Sequence, residues 1–255
     1  TMSKLNRRQF IQAFAASSSA AALSVPLSAC AGPSARAGGG KAQVVVIGGG
    51  YGGATAAKYV KMLDAGIDVT LIEPNATYTS CPLSNEVISG HRDIKTLQVG
   101  YDGLKKRGVN VLQDYVVGVD RAKKTVTTKG GKTLGYDALV VSPGIEFHFN
   151  TIEGYNESMI NEIPHAWKAG DQTLLLKKQI EAMPDGGKFV IVVPKGPFRC
   201  PPGPYERASL VANYFLHHGK KKSKVIIMDA NDSHSKKGLF NQAWAKLYGC
   251  EKEGL

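Results

Sequence analysis

The 255 residues, 43% hydrophobic and 21% charged, suffice for two ordinary α/β domains, each with its own core. No run of eighteen or more apolar residues occurs, which argues against a permanent membrane-spanning helix. The formal charge is +11, and an acid-free leader supplies four of those charges through Lys4, Arg7, Arg8 and Arg36. The rest of the excess lies in short runs at 105–107, 177–178 and 220–222. These fit a solvated basic surface or steering toward an acidic protein partner. No recognition motif accompanies the charge, so no nucleic acid partner is expected.

The chain opens on an address. Asn6-Arg7-Arg8-Gln9-Phe10-Ile11 matches the twin-arginine export pattern, and an uncharged Ala/Ser-rich segment from Ala13 to Ala29 follows it. Residues 1–37 are therefore read as a signal segment and kept out of the fold. This route moves folded proteins, so a cofactor loaded in the cytoplasm travels with its protein to a periplasmic working place. Two processing sites compete. Ala35-Arg36-Ala37 before Gly38 is a small-x-small cleavage site, whereas Leu27-Ser28-Ala29-Cys30 is a lipoprotein box. Only the second implies a membrane contact, through a lipidated Cys30.

Residues 43–73 read as one βαβ unit. Gln43–Ile47 is a β-branched run expected of a buried parallel strand, Ala54–Leu63 a helix, and Asp68–Ile72 the second strand. Between the first strand and the helix, Gly48, Gly50 and Gly53 supply the G-x-G-x-x-G pattern. Gly48 permits the tight turn, Gly50 lets the backbone approach a pyrophosphate, and Gly53 allows close helix–strand packing. The helix N-terminus offers free N–H groups and partial positive charge to phosphates. Glu73, closing the second strand, is placed to accept hydrogen bonds from ribose hydroxyls.

Val109–Leu112 predicts another strand. Tyr115–Val119, Thr125–Thr128 and Lys132–Tyr136 then predict a three-stranded meander. A last strand, Tyr136–Val141, ends in the turn Ser142-Pro143-Gly144. That succession resembles the FAD domain of the disulfide-reductase superfamily, in which the turn at Pro143 and Gly144 packs near the flavin. FAD rather than NAD is therefore the cofactor expected here, in a domain spanning 41–160.

Tyr78 to Gly90 carries one cysteine, Cys81, where the disulfide reductases carry a nearby pair, so a local redox disulfide is excluded there. A second βαβ unit, expected over 161–255, has strands Lys188–Val193 and Lys224–Asp229 around a helix Tyr205–His217. Its connecting loop holds Pro194, Pro197, Pro201, Pro202 and Pro204, which remove backbone donors, and it lacks the glycine pattern. Such a loop is unsuited to a pyrophosphate but can hold Cys200 rigidly.

The segments VVVIGGG, GGATAAKYVK, VTLIEPN, LSNEVISG, GYDGL, IPHAWKAG and above all PFRCPPGPYERAS resemble the flavoprotein subunits of flavocytochrome c sulfide dehydrogenases across residues 41–248. The resemblance implies an α/β fold of two Rossmann-like domains. It implies sulfide as substrate and a c-type cytochrome subunit as partner. Cys81 becomes the covalent attachment to the 8α-methyl of the flavin, Cys200 one half of a redox-active disulfide, and Glu206 a proton acceptor or donor. Arg199, beside Cys200, is the residue expected to favour its thiolate. Hydrosulfide attack at the redox sulfur would form a persulfide, with two electrons passing to FAD and leaving singly to the cytochrome.

The family's chains continue past Leu255, to a second redox cysteine and a domain facing the cytochrome. The segment from Cys250 to Leu255 departs from the family pattern, as expected of a truncated product. Three other readings stay open: a sulfide:quinone oxidoreductase, an NADH-dependent flavin reductase, and an inactive FAD-binding fragment.

Overall fold

The structure, a computed structural model, describes residues 41–249. Arg7, Arg8, Cys30, the site at Ala35 to Ala37, and Cys250 lie outside the described residues. The chain enters through β1 (Gln43–Ile47), α1 (Tyr51–Leu63) and β2 (Asp68–Ile72), and the strands pair in parallel from Gln43↔Asp68 to Ile47↔Ile72. The helix begins at Tyr51, three residues before the expected start. Gly52 and Gly53 are poor helix formers, yet they form its first turn because the packing there leaves no room for side chains.

Next come β3 (Thr77–Thr79), α2 (Ser84–Ile88) and β4 (Gln98–Gly100), with β3 and β4 joined as an antiparallel ribbon. After α3 (Asp102–Lys105) and β5 (Asn110–Leu112) follows the meander of β6 (Val116–Asp120), β7 (Thr125–Thr128) and β8 (Thr133–Gly135), and then β9 (Ala138–Val141). The parallel sheet runs in the order β5-β2-β1-β9.

The β-branched run of β1 makes sense in this sheet, since both of its faces are covered. Val44 and Val46 pack with Ala57, Val69, Leu71 and Tyr101 on the α1 side. Val45 packs with Ile72, Val126 and Leu134 on the meander side. Alternation along the strand thus sends side chains into two separate cores. Each buried valine contributes roughly 1.5–3 kcal/mol, and a charge at Val46 would break this layer.

The second unit comprises α4 (Asp171–Ala182), β10 (Lys188–Val193), α5 (Gly203–His217), β11 (Lys224–Asp229) and α6 (Lys237–Tyr248). β10 and β11 pair in parallel from Lys188↔Lys224 to Val193↔Asp229. Ile191 and Val193 pack against Ala208 and Phe198, while Val190, Val192 and Met228 are exposed on the other face. Ile88 of α2 is buried with Leu176, Ile180, Val211 and Phe215. The segment that follows Cys81 is thereby docked on the helices of the second unit. Among the described residues, no helix is long and apolar enough to cross a membrane.

Candidate active site

The glycine turn is fixed by its neighbours on every side but one. A Cβ on Gly48, whose φ is +92°, would lie 2.0 Å from the Ser142 carbonyl oxygen, and one on Gly53 would lie 1.8 Å from the Gly48 carbonyl oxygen. Tyr101 stands where a side chain on Gly49 would be, and its hydroxyl donates to the Gly49 carbonyl at 3.1 Å. Burial first, and the neighbouring Glu73 second, push the Tyr101 hydroxyl pKa well above its ordinary value, so it stays a donor. At Gly50 the nearest atom a Cβ would meet is a Tyr78 ring carbon at 3.4 Å, and the helix end there has no side-chain cap. Bare backbone and uncapped N–H groups are what a flavin pyrophosphate requires.

Glu73 is buried at the end of β2. It accepts from the Gly49 N–H at 2.8 Å, and from the Asn75 backbone and side-chain N–H groups at 3.0 and 2.7 Å. The carboxylate thus holds the glycine turn, with about one of its roughly four acceptor positions left for a ribose hydroxyl. Pro143 lies against the glycine turn, its Cα 3.1 Å from a Cβ built on Gly48. Gly144 has a φ of +95°, so glycine there serves the backbone conformation of the turn.

The two cysteines meet around one tryptophan. Cys81 is exposed, and its thiol donates to the Trp167 carbonyl at 3.1 Å. Cys200 is also exposed and free. A Cβ on Gly203 would come within 3.1 Å of the Cys200 sulfur and 3.2 Å of the Trp167 ring, so only glycine lets these two approach. Leu83, Ala166 and Cys200 have φ values of 68°, 49° and 60°. Non-glycine residues in this region cost about 1–3 kcal/mol each and mark places where function overrides local preference. Here they fall one in each of the three converging segments.

The residue joining those segments is Arg207, for which no local pattern in the sequence implies a role. The residue is 3% exposed, and its guanidinium carbon lies 3.5 Å from the centre of the Trp167 ring. It donates to Asn85 Oδ1 at 3.0 Å, to the His165 carbonyl at 2.8 Å and to the Ala166 carbonyl at 2.6 Å. Burial lowers its pKa to about 9, partly offset by Cys81, Glu206 and Cys200. Arg199 is exposed, so the buried cation of the cysteine site is Arg207, not Arg199. Glu206 is exposed in the first turn of α5, immediately before it. His165 accepts the Trp167 backbone N–H at Nδ1, 3.1 Å away, and burial, then Arg207 and Lys168, lower its pKa. Asn85, His165, Trp167 and Arg207 all stand inside the motifs that carried the resemblance, and that was their one signal in sequence.

The second βαβ unit closes on itself. Asp229, ending β11, accepts from the Tyr205 hydroxyl at 2.5 Å and from the Asn231 backbone and side-chain N–H groups at 2.9 and 2.8 Å. The Tyr205 ring stacks on His234 with centroids 3.7 Å apart. Between the proline-rich loop and these residues a cavity of about 190 Å³ is left, below the roughly 300–1,000 Å³ of common small-molecule sites.

Residues 42–192 match the pyridine nucleotide-disulphide oxidoreductase family, and residues 173–254 match the central region of the sulfide dehydrogenase (flavocytochrome c) flavoprotein chain. That flavoprotein chain of Chlorobaculum thiosulfatiphilum is 54% identical over 48 residues, which are 19% of this chain and 100% of the relative. The mitochondrial sulfide:quinone oxidoreductase of Mus musculus is 23% identical over 220 residues, 82% of this chain and 44% of the relative. The chain therefore spans about half the length of that relative. The sulfide:quinone oxidoreductase structure from Aquifex aeolicus shares the fold with a TM-score of 0.69 at 23% identity, covering 80% of this chain and 49% of that one. By these matches the chain belongs to the pyridine nucleotide-disulphide oxidoreductase family, which implies a flavin cofactor, and is a homologue of the flavocytochrome c sulfide dehydrogenase flavoprotein chain.

Proposed function

We propose that the chain is the flavin-binding part of an oxidoreductase that oxidises sulfide at Cys200 and passes electrons to a c-type cytochrome subunit. The observation carrying this reading is the meeting of Cys81 and Cys200 at Trp167, beside a buried cation. Gly48, Gly50 and Gly53 would hold the flavin pyrophosphate, Glu73 its ribose, and Cys81 its 8α-methyl carbon through a covalent thioether. When bound, the flavin accepts an electron pair and releases electrons singly. Hydrosulfide attacks a disulfide at Cys200, a new S–S bond forms as the old one breaks, and the partner cysteine leaves as thiolate. Glu206, at the solvent side of the same helix turn, exchanges the protons.

Anaerobic addition of sulfide should bleach the flavin absorbance, and Cys200→Ser should abolish the response while retaining the flavin. Full sulfide activity in the serine variant would overturn the assignment. Acid precipitation should leave the flavin in the pellet with Cys81 and release it with Cys81→Ser. Wild-type flavin recovered wholly in the supernatant would remove the covalent link. A quinone acceptor is the second reading, favoured by the match of 82% of the chain to a sulfide:quinone oxidoreductase. Reoxidation of the sulfide-reduced protein by cytochrome c but not by a soluble quinone would decide for the first.

The same proposal includes the compartment. With Arg7 and Arg8 as a twin-arginine signal, the protein works in the periplasm. Replacing both by lysine should trap it unprocessed in the cytoplasm, and normal export of the double variant would remove this part.

A further inference from the structure

Arg207 carries a charge that no carboxylate answers. The ion pairs among the described residues are Arg92–Glu86, Lys105–Asp102, Lys123–Asp120 and Lys177–Glu181, all elsewhere. The three hydrogen bonds of the guanidinium go to neutral oxygens, on Asn85, His165 and Ala166. Its flat face rests on Trp167, a neutral ring. Taking a cation out of water costs several kcal/mol unless an anion compensates it. A neutral side chain could fill the same volume, and a glutamine could make hydrogen bonds there. A cation held in that place at such cost therefore points to an anion that comes and goes.

The acidic groups that face Arg207 are Cys81, Glu206 and Cys200. Glu206 is exposed to solvent. The lowered pKa of His165 keeps its ring neutral, and Lys168, which acts on His165, is a cation, so neither supplies an anion. The space beside the two sulfurs is left for the anion.

We propose that Arg207 is a positioning residue for anionic sulfur, its buried guanidinium drawing a small anionic thiol or hydrosulfide into the cysteine site beside Cys200. The class of anion rests on the sulfide-oxidising reading above, whereas the charge and its location do not. The rigid fork matters as well as the charge, because its three contacts tie the segments bearing Cys81, Trp167 and Cys200 to one helix.

The test is alkylation of Cys200 in the full chain, reduced beforehand and freed of reductant, resolved by peptide mass spectrometry, with neutral iodoacetamide and anionic iodoacetate at neutral pH and low salt. In each case the thiolate sulfur displaces iodide, so a change in thiolate fraction cancels in the ratio of the two rates. The ratio of iodoacetate to iodoacetamide should be on the order of tenfold higher in the folded chain than in the same chain in urea. Arg207→Met should remove that preference and Arg207→Lys should restore most of it. An equal ratio in folded and unfolded wild type would overturn the proposal, and so would an unchanged ratio in a folded Arg207→Met. If Arg207→Met does not fold, the wild-type comparison decides alone. Loss of sulfide bleaching with the alkylation preference intact would sink the sulfide reading and leave the role of Arg207 standing.

Discussion

In the first βαβ unit Glu73 closes β2, and in the second Asp229 closes β11, and each takes two hydrogen bonds from an asparagine two residues on. The third bond differs. Glu73 receives a backbone N–H from Gly49, which pulls the glycine turn against the strand end and leaves the helix end open. Asp229 receives the Tyr205 hydroxyl, which brings a helix side chain into the corresponding place, where His234 stacks on it. One unit is a cradle and the other a plug, although strand, helix, strand and acid follow in the same order. The glycine turn is what separates them, because an acid at the strand end serves either arrangement.

The comparison breaks most visibly at the glycines. Gly53→Ala would set a methyl group 1.8 Å from the Gly48 carbonyl oxygen, and Gly48→Ala would combine a 2.0 Å clash with a left-handed backbone. Each should cost about 3 kcal/mol or more and abolish flavin retention. In the second unit, Gly196→Ala meets only Asn231 Oδ1 at 3.6 Å and should stay within about 0.5 kcal/mol of wild type. Thermal melts with flavin retained on gel filtration measure both. Equal tolerance at Gly53 and Gly196 would mean the turn is not the cradle described here.

A smaller effect is expected at the plug. Tyr205→Phe removes one of three donors to Asp229, whose pKa is held low by Tyr205 and Asn231 against the opposing effect of its burial. A loss of about 1–3 kcal/mol should follow. Titration calorimetry should find no NADH binding in wild type, and none in the variant, since five prolines still deny the loop its donors. NADH binding to the wild-type second unit would erase the distinction between the two units.

Local patterns in the sequence were enough for the two βαβ units. β1, β2, β10 and β11 run over the expected residues, because β-branched runs and glycine punctuation are local signals. The ribbon of β3 and β4 was not legible, since three-residue strands carry no periodicity of their own. Neither α4 nor α6 was anticipated. The site was legible as cysteines and glycines but not as a cluster. Arg199 adjoins Cys200 in sequence, yet the backbone turns it to solvent, while Arg207 reaches the site from the next helix turn. Only tertiary packing brings Asn85, 122 residues away, to its guanidinium.

The smallest expected effect separates the connecting segment from either unit. The His165 Nδ1 accepts the Trp167 N–H, so a second proton on the ring would have to displace that bond beside the Arg207 charge. Burial first, then the charges of Arg207 and Lys168, hold its folded pKa below the ordinary 6.5. An unfolded chain takes up that proton near 6.5 while the folded chain resists it. Stability present above that pH is lost progressively as pH falls below it, until the folded ring also protonates. Urea midpoints measured from pH 8 down to pH 5 should fall more steeply for wild type than for His165→Asn, whose amide oxygen can still accept the Trp167 N–H. The double comparison removes the contributions of carboxylates common to both chains. Parallel pH profiles would show that His165 is solvated in the folded chain, and the cluster around Trp167 would then be looser than its hydrogen bonds describe.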